Sequence, residues 1–355
     1  MMDLVLDRDD LRLIAALQLR PRGSWTELGA VLGCSAVTLA RRWTRLAEAG
    51  VAWMTVAPNL APGTGALGLG VALVELRVPP GQMIPTANEL AQVPEIATID
   101  VTAGSRDLVL TVITGDEEAL ARLLIERLHL IGTVVAIHSH PATRTYVDGS
   151  SWRMPGLTDQ EKGRLAPASL QPNRARVTPL AEAVARELAR NGRVSATELA
   201  DILDVRPRRA RELIAEVIGT GRLRFRTEVA RRHSGYPLCT WYFLRTPASQ
   251  RDIAAQRIAT LQQARAVVAV VGQYDLAIDV WTRTMDDVQR LEATIEERLR
   301  GVQIVDRAVV LRTVKIMGRL LDDAGLATGF VPLPAYLKGS PTASAPAPAG
   351  QAQDA

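Results

Sequence analysis

Ser24-Trp25-Thr26-Glu27-Leu28-Gly29-Ala30-Val31-Leu32 returns 171 residues later as Ser195-Ala196-Thr197-Glu198-Leu199-Ala200-Asp201-Ile202-Leu203. Each stretch opens with a serine followed three positions on by a glutamate. In that spacing the hydroxyl accepts from the third backbone N–H and the glutamate reaches back to the cap, which marks a helix start. Leu28, Val31 and Leu32 then share one helical face, and Gly33 supplies the left-handed freedom that ends the helix in a tight turn. Upstream, Leu11, Ile14, Ala15 and Leu17 predict a first helix over 9–19. Downstream, Leu39, Trp43 and Leu46 predict a third helix from about Ser35.

The third helix should turn Ser35, Thr38, Arg41, Arg42 and Arg45 to solvent. The second stretch reads the same way: Leu180, Val184 and Leu188, then the capped helix, then a third helix over 206–220 that exposes Arg206, Arg208, Arg209 and Arg211. Three helices in this order form a helix-turn-helix, and a guanidinium on its last helix can donate paired hydrogen bonds to phosphates or guanine edges. From Arg206 to Arg226 seven arginines face only Glu212 and Glu216, a local charge of +5. A generic capped packing unit with a solvated basic face is the bland alternative. Its recurrence with a basic third helix both times favours DNA.

Outward from these units lie alternating apolar runs. Strands are expected over 69–78, 97–102, 108–114 and 133–140, with helices over 86–92 and from an Asp116 cap to 130. Strands over 238–244, 267–271, 276–281 and 302–311 repeat the order. This is βαββαβ twice, a ferredoxin-like unit. Gly104-Ser105-Arg106-Asp107 is answered by Gly272-Gln273-Tyr274-Asp275, and Arg144-Thr145 by Arg312-Thr313, both at an offset of 168. The chain reads as a tandem duplication. The expected domains are a helix-turn-helix over 1–57, a ferredoxin-like unit over 66–147, a linker over 148–177, a second helix-turn-helix over 178–228, a second ferredoxin-like unit over 236–318, and a tail over 319–355. The Pro, Ala, Ser, Gly and Gln composition after Gly329 predicts that the tail's end is disordered.

These features resemble the leucine-responsive and asparagine-synthase-regulator (Lrp/AsnC) family of bacterial transcription factors, in a tandem form. The resemblance rests on the Ser24 and Ser195 helix-turn-helix cores, the two Gly-x-x-Asp turns and the terminal Arg-Thr strands, and covers about 6–318. It implies an α+β chain of two winged-helix-like domains alternating with two ferredoxin-like domains that self-associate through their sheets. It also implies double-stranded DNA as partner and an amino acid or other small effector near Gly104, Asp107, Gly272 and Asp275. Ser105 and Gln273 stand where many members carry an acidic residue. The Gly and Asp could equally serve only to turn the hairpin. The two joined halves would then be the pseudo-symmetric counterpart of a homodimer.

The chain of 355 residues is 47% apolar, with a net charge of +4 and a pI near 9.4. Its length suggests several domains. No apolar run reaches the 18 or so residues of a membrane span, and the acidic start (Asp3, Asp7, Asp9, Asp10) is unlike a secretory leader, so a cytoplasmic protein with no membrane association is expected. Cys34 and Cys239 lack metal or disulfide spacing. His138 and His140 would share a strand face without further ligands, so no metal or other cofactor is expected. His233 after Arg231 and Arg232 could contact an anion or a tetrapyrrole. Phosphate loops, serine elbows and paired carboxylates are absent, and the chain is expected not to be an enzyme. Two alternatives stay open: a decarboxylase acting on siroheme-type tetrapyrroles, whose fold resembles this family's, and a weakly specific chromosome-organising protein.

Overall fold

The computed structural model describes residues 5–60, 69–131, 133–166, 178–334 and 336. The first half runs α1 (Arg8–Leu19), α2 (Trp25–Leu32), α3 (Ala36–Glu48), β1 (Ala52–Pro58), β2 (Gly70–Arg77), α4 (Met83–Leu90), β3 (Ile96–Ala103), β4 (Leu108–Thr114), α5 (Glu117–Arg122) and β5 (Ala136–Val147). After α6 (Asp159–Leu165) the order begins again: α7 (Pro179–Arg190), α8 (Ala196–Leu203), α9 (Pro207–Gly219), β6 (Leu223–Val229), β7 (Leu238–Arg245), α10 (Arg251–Ala259), β8 (Ala264–Val270), β9 (Leu276–Thr282), α11 (Met285–Arg298) and β10 (Gln303–Ile316). A short hairpin, β11 (Arg319–Leu321) and β12 (Ala327–Phe330), follows.

The capping reading holds in atomic detail. Ser24 and Ser195 Oγ accept from Glu27 N and Glu198 N, and in α8 the glutamate also reaches back to complete the box. Gly33 ends α2 at φ 72°, whereas Asp204 takes the left-handed position after α8. The three helices of each unit enclose their own apolar core, with Leu13, Ile14, Leu28, Leu39 and Leu46 in the first. Val184, Leu188, Leu199, Leu213 and Val217 play that part in the second.

β1 and β6 pair antiparallel over seven residues, from Ala52 opposite Val229 to Pro58 opposite Leu223, with Thr55 opposite Arg226 at the centre. Residue i of β1 corresponds to i+171 of β6, so the ladder maps onto itself about that central pair, as an isologous dimer contact does. Arg22 donates to the carbonyls of Gly192 and Val194, and Arg193 donates to those of Pro21 and Gly23. The two helix-turn-helix units are thereby fastened to one another.

The expectation of two separate ferredoxin-like domains is corrected. Strands follow one another β10-β3-β4-β2-β5-β8-β9-β7, and β7 pairs again with β10, closing eight strands into one barrel, with β11 and β12 added outside β10. The reason lies in β5 and β10, which run well beyond the predicted ends at His140 and Leu311. Their first parts complete their own βαββαβ sheet, β5 on β2 and β10 on β7. Their second parts cross to the other half, β5 on β8 and β10 on β3. The crossing ladders agree pair for pair at an offset of 168: Arg144 faces Ala269 and Arg312 faces Val101, with bulges at matching places. Helices cover the outside of the barrel through two apolar clusters.

Two further boundaries differ from the reading of the sequence. The stretch taken as a linker carries α6, and Trp152, Met154, Leu157 and Leu165 bury their side chains in the core of the first helix-turn-helix. The 319–355 stretch begins with the β11–β12 hairpin, and Leu333 and Tyr336 are buried against the second unit; the expected disorder at its end concerns 337–355, outside the described residues. Among the described residues, no helix is long and apolar enough to cross a membrane.

Candidate nucleic-acid interface and barrel interior

α3 and α9 occupy equivalent places, yet their surfaces differ at almost every exposed position. At the start of α3, Ser35 caps the helix: its Oγ accepts from Thr38 N at 3.1 Å and lies 2.8 Å from Thr38 Oγ1. The equivalent positions at α9 hold Arg206 and Arg209. The side chains of Arg41, Arg206 and Arg211 are exposed and form no hydrogen bond or ion pair with the described residues. Arg208 and Arg209 are also exposed, but lie against Glu212 and Glu216, with Arg209 Nη1 2.7 Å from Glu216 Oε1.

Arg42 and Arg45 behave differently. Asp10, fully buried under α3, accepts from Arg42 Nη1 at 2.8 Å through one oxygen and from Arg45 Nη2 at 2.5 Å through the other. Arg42 also reaches Asp7 at 2.7 Å, and these carboxylates hold its guanidinium above the usual range. Both arginines therefore fasten α1 to α3. The sequence carries that signal in its acidic Asp7-x-Asp9-Asp10 start.

The Gly-x-x-Asp turns are tight hairpins, with Gly104 at φ 124° and Gly272 at φ 144°. Asp107 Oδ2 accepts from Val78 N at 2.8 Å, and Asp275 Oδ2 from Thr246 N at 3.0 Å. Asp275 Oδ1 accepts from Arg251. Each aspartate pins the end of a neighbouring strand, a task that commits its carboxylate to backbone.

Between those turns lies a polar cluster that sequence reading missed. Arg106, only 3% exposed, contacts Glu75 Oε2 at 3.0 Å and Asp306 Oδ2 at 2.5 Å, donates to Tyr274 Oη at 3.2 Å and packs over the Phe243 ring. His140 Nε2 sits 3.4 Å from Glu75 Oε1, while His138 is exposed. The partners come from both halves and meet only because the barrel closes. Deeper in the same interior, Asp100 accepts from Trp241 Nε1 and Thr313 Oγ1, and Asp279 accepts from the Cys239 thiol. Burial raises the Cys239 thiol well above its ordinary range, as expected of an inert core cysteine. Cys34 is half-buried.

A cleft of about 250 Å³ lies between the β1–β6 ribbon and the end of β10, lined by Trp53, Arg231, Arg232, Trp281 and Arg312. Trp53 Nε1, Arg231 Nη1 and Arg312 Nε are buried without a hydrogen-bond partner among the described residues. Arg312 is ion-paired with Asp323, and His233 sits in the short turn that carries the other two arginines. No group of three or more His, Cys, Asp or Glu side chains suited to a metal occurs among the described residues.

Two three-helix units thus ride on one closed barrel of two βαββαβ sheets. Residues 6–47 match the AsnC-type helix-turn-helix domain and residues 71–152 the Lrp/AsnC ligand binding domain. The chain is 31% identical over 149 residues to the HTH-type transcriptional regulator Ptr1 of Methanocaldococcus jannaschii, covering 41% of this chain and 97% of that protein. It is 30% identical over 132 residues to an HTH-type transcriptional regulator of Pyrococcus abyssi, covering 36% and 85%. The chain belongs to the Lrp/AsnC family. Among solved structures it is similar to the siroheme decarboxylase NirDL in complex with an iron-uroporphyrin III analogue, with a TM-score of 0.55 at 15% identity over 87% of this chain and 93% of that one. That likeness is one of fold, and it corrects the expectation that the chain is not an enzyme: a decarboxylase is built on the same arrangement along nearly its full length.

Proposed function

We propose that this chain is a sequence-specific, double-stranded-DNA-binding transcription regulator in which one polypeptide supplies both reading heads of an Lrp/AsnC dimer. The observation that carries the reading is the self-complementary β1–β6 ladder, with the reciprocal Arg22 and Arg193 contacts, which holds α3 and α9 in a fixed two-fold relation. Helix-turn-helix dimers read half-sites about 34–36 Å apart through the first residues of such helices. Here those residues are Ser35 and Thr38 on one side and Arg206, Arg208 and Arg209 on the other, with Arg41 and Arg211 placed to reach the duplex. Arg42 and Arg45, committed to Asp10, act by holding α3 in place. Electrophoretic and footprinting assays on the gene's own upstream region at fixed salt test this: a protected imperfect palindrome is expected, and binding no tighter than to unrelated duplex refutes it.

An effector at the Gly104–Asp107 and Gly272–Asp275 turns belongs to this proposal through family likeness. The geometry lends it little support, because both aspartates are occupied by backbone N–H groups. Self-association into larger assemblies through the outer faces is likewise part of the proposal.

A second reading is favoured by one specific observation, the arginine-lined cleft at Arg231, Arg232 and Arg312 on a fold shared with NirDL. Unpartnered buried donors beside three guanidinium groups suit a ligand bearing several carboxylates. Anaerobic incubation with siroheme, followed by visible spectroscopy and carbon dioxide release, tests it. Absence of both a spectral shift and product removes it.

A further inference from the structure

Where the open end of the barrel meets the β1–β6 ribbon there is a cavity of about 100 Å³, lined chiefly by apolar side chains such as Leu73, Ile113, Val268 and Met317, with Arg265 and Asp279 on its wall. Arg265 is 2% exposed. Its Nη2 lies 2.8 Å from Glu228 Oε2, and its guanidinium carbon lies 3.9 Å from the centre of the Trp281 ring. Nε and Nη1 have no hydrogen-bond partner among the described residues. Glu228 is also claimed by Arg226, at 2.6 Å, so two buried guanidinium groups share one carboxylate. Leaving such donors unmet in a dry interior is costly.

The arrangement is confined to one half of the molecule. At the offset of 168, Arg265 corresponds to Ala97, Asp279 to Thr111 and Trp241 to Leu73. Barrel closure therefore does not require Arg265, since the equivalent strand in the first half builds the same ladder with an alanine. Asp279 does not satisfy the free donors. Its carboxyl accepts from Cys239 at 3.1 Å, and burial raises it to about 6.

We propose that this cavity binds a small aliphatic monocarboxylate, its carboxylate accepting from the free Nη1 of Arg265 and its hydrocarbon body lying against Leu73, Ile113 and Met317. The size follows from comparison with a dry cavity of about 150 Å³ that accommodates the six carbons of benzene, so about four or five non-hydrogen atoms, carboxylate included, fit here. The polar anchor and apolar body match the usual make-up of small-molecule sites. The roof of the cavity includes Ala57 and Pro58 of β1 and Arg226 of β6, the strands that carry α3 and α9. On the regulator reading, occupancy acts on the ribbon that sets the relation of the two heads. The site itself stands without that reading.

Isothermal titration of the full chain with propanoate, in the absence of DNA, tests the site. Saturable one-to-one binding is expected, with at least a tenfold loss for the neutral amide of the same acid. Arg265→Gln should lose binding at least tenfold. Because that change disturbs Glu228, Ala142→Leu serves beside it: Ala142 lines the cavity away from the charges, and the larger side chain should abolish binding while thermal unfolding stays within a few degrees of the parent. No saturable binding by the parent, equal binding of acid and amide, or undiminished binding by a folded Ala142→Leu variant would overturn the proposal. DNA affinity is not read in this experiment, so failure of the regulator reading leaves its result intact.

Discussion

α3 and α9 are built alike and charged unlike. Both start after a capped helix and a left-handed residue, and both pack leucines onto their own α1 or α7. In the first unit Asp10 draws Arg42 and Arg45 down onto α1, leaving a neutral Ser35–Thr38 start. In the second, Ala181 stands where Asp10 would be, and the arginines crowd the beginning of α9. The contrast teaches that core and cap positions hold the architecture while the exposed positions are free to diverge. A basic helix is evidence for a polyanion only after its internal partners are counted.

The largest effect should come from breaking the clamp that only the first unit has. Asp10→Ala leaves two guanidinium groups facing a buried gap and should destabilise the chain by about 2 to 3 kcal/mol, somewhat under a fully buried pair because Arg45 is half exposed. Denaturant unfolding measures this; a change below about 1 kcal/mol would mean that the two units are held alike.

Next in size are the proposed reading surfaces. Replacing Arg206 and Arg211 together by alanine should weaken specific binding by about 2 kcal/mol and lessen the dependence of log K on log salt by about 1.8. Arg41→Ala should cost about half as much in both. Equal effects would erase the asymmetry between the heads.

The barrel halves allow a third comparison. Lys315 in β10 is completely buried, donating to the Val93 carbonyl at 2.9 Å, where the first half has Val147. Burial lowers its ammonium to about 7, with Glu95 opposing. Between about pH 7 and its ordinary value near 10.5 the unfolded chain holds the proton and the folded chain does not. Stability therefore rises with pH across that window and levels off at its lowest below about pH 7. Lys315→Val should flatten that rise and stabilise the chain at neutral pH by about 1 to 2 kcal/mol, as thermal unfolding from pH 6 to 10 would show. An unchanged pH slope would assign it to other groups.

Smallest of all is Glu212→Ala. Its pairs with Arg208 and Arg209 lie at the surface, where solvent screens ion pairs and they contribute little. Stability should hardly move, while DNA affinity rises slightly as the arginines are freed.

Local chemistry made much of this legible in the sequence. Caps, helical apolar faces and two-residue alternation named the helix-turn-helix units and most strands to within a few residues, because those signals act over neighbours in the chain. Closure of the barrel was not legible. The second halves of β5 and β10 alternate against partners more than a hundred residues away, and Thr143 and Arg144 look like the polar end of a strand until β8 is seen beside them. The same reason hid Arg106, Glu75, His140 and Tyr274 as one cluster, and Arg265 as the wall of a cavity. Of the site residues, Arg41, Arg206, Arg208, Arg209 and Arg211 face outward as expected. Arg45 is exposed and Arg42 half-buried, and the pairing of both with Asp10 was not legible, because an acidic partner 32 to 35 positions away leaves no periodic trace.

On the proposed function, one chain presents two unlike heads on one symmetric ribbon. Selection of bound duplexes from a random pool by the full chain, followed by footprinting of the enriched sequences, tests it most directly. Two protected half-sites about one helical turn apart with different sequences are expected, guanines concentrated under α9, where Arg206, Arg208 and Arg209 begin the helix. Two identical half-sites, or enrichment of no sequence at all, would contradict it.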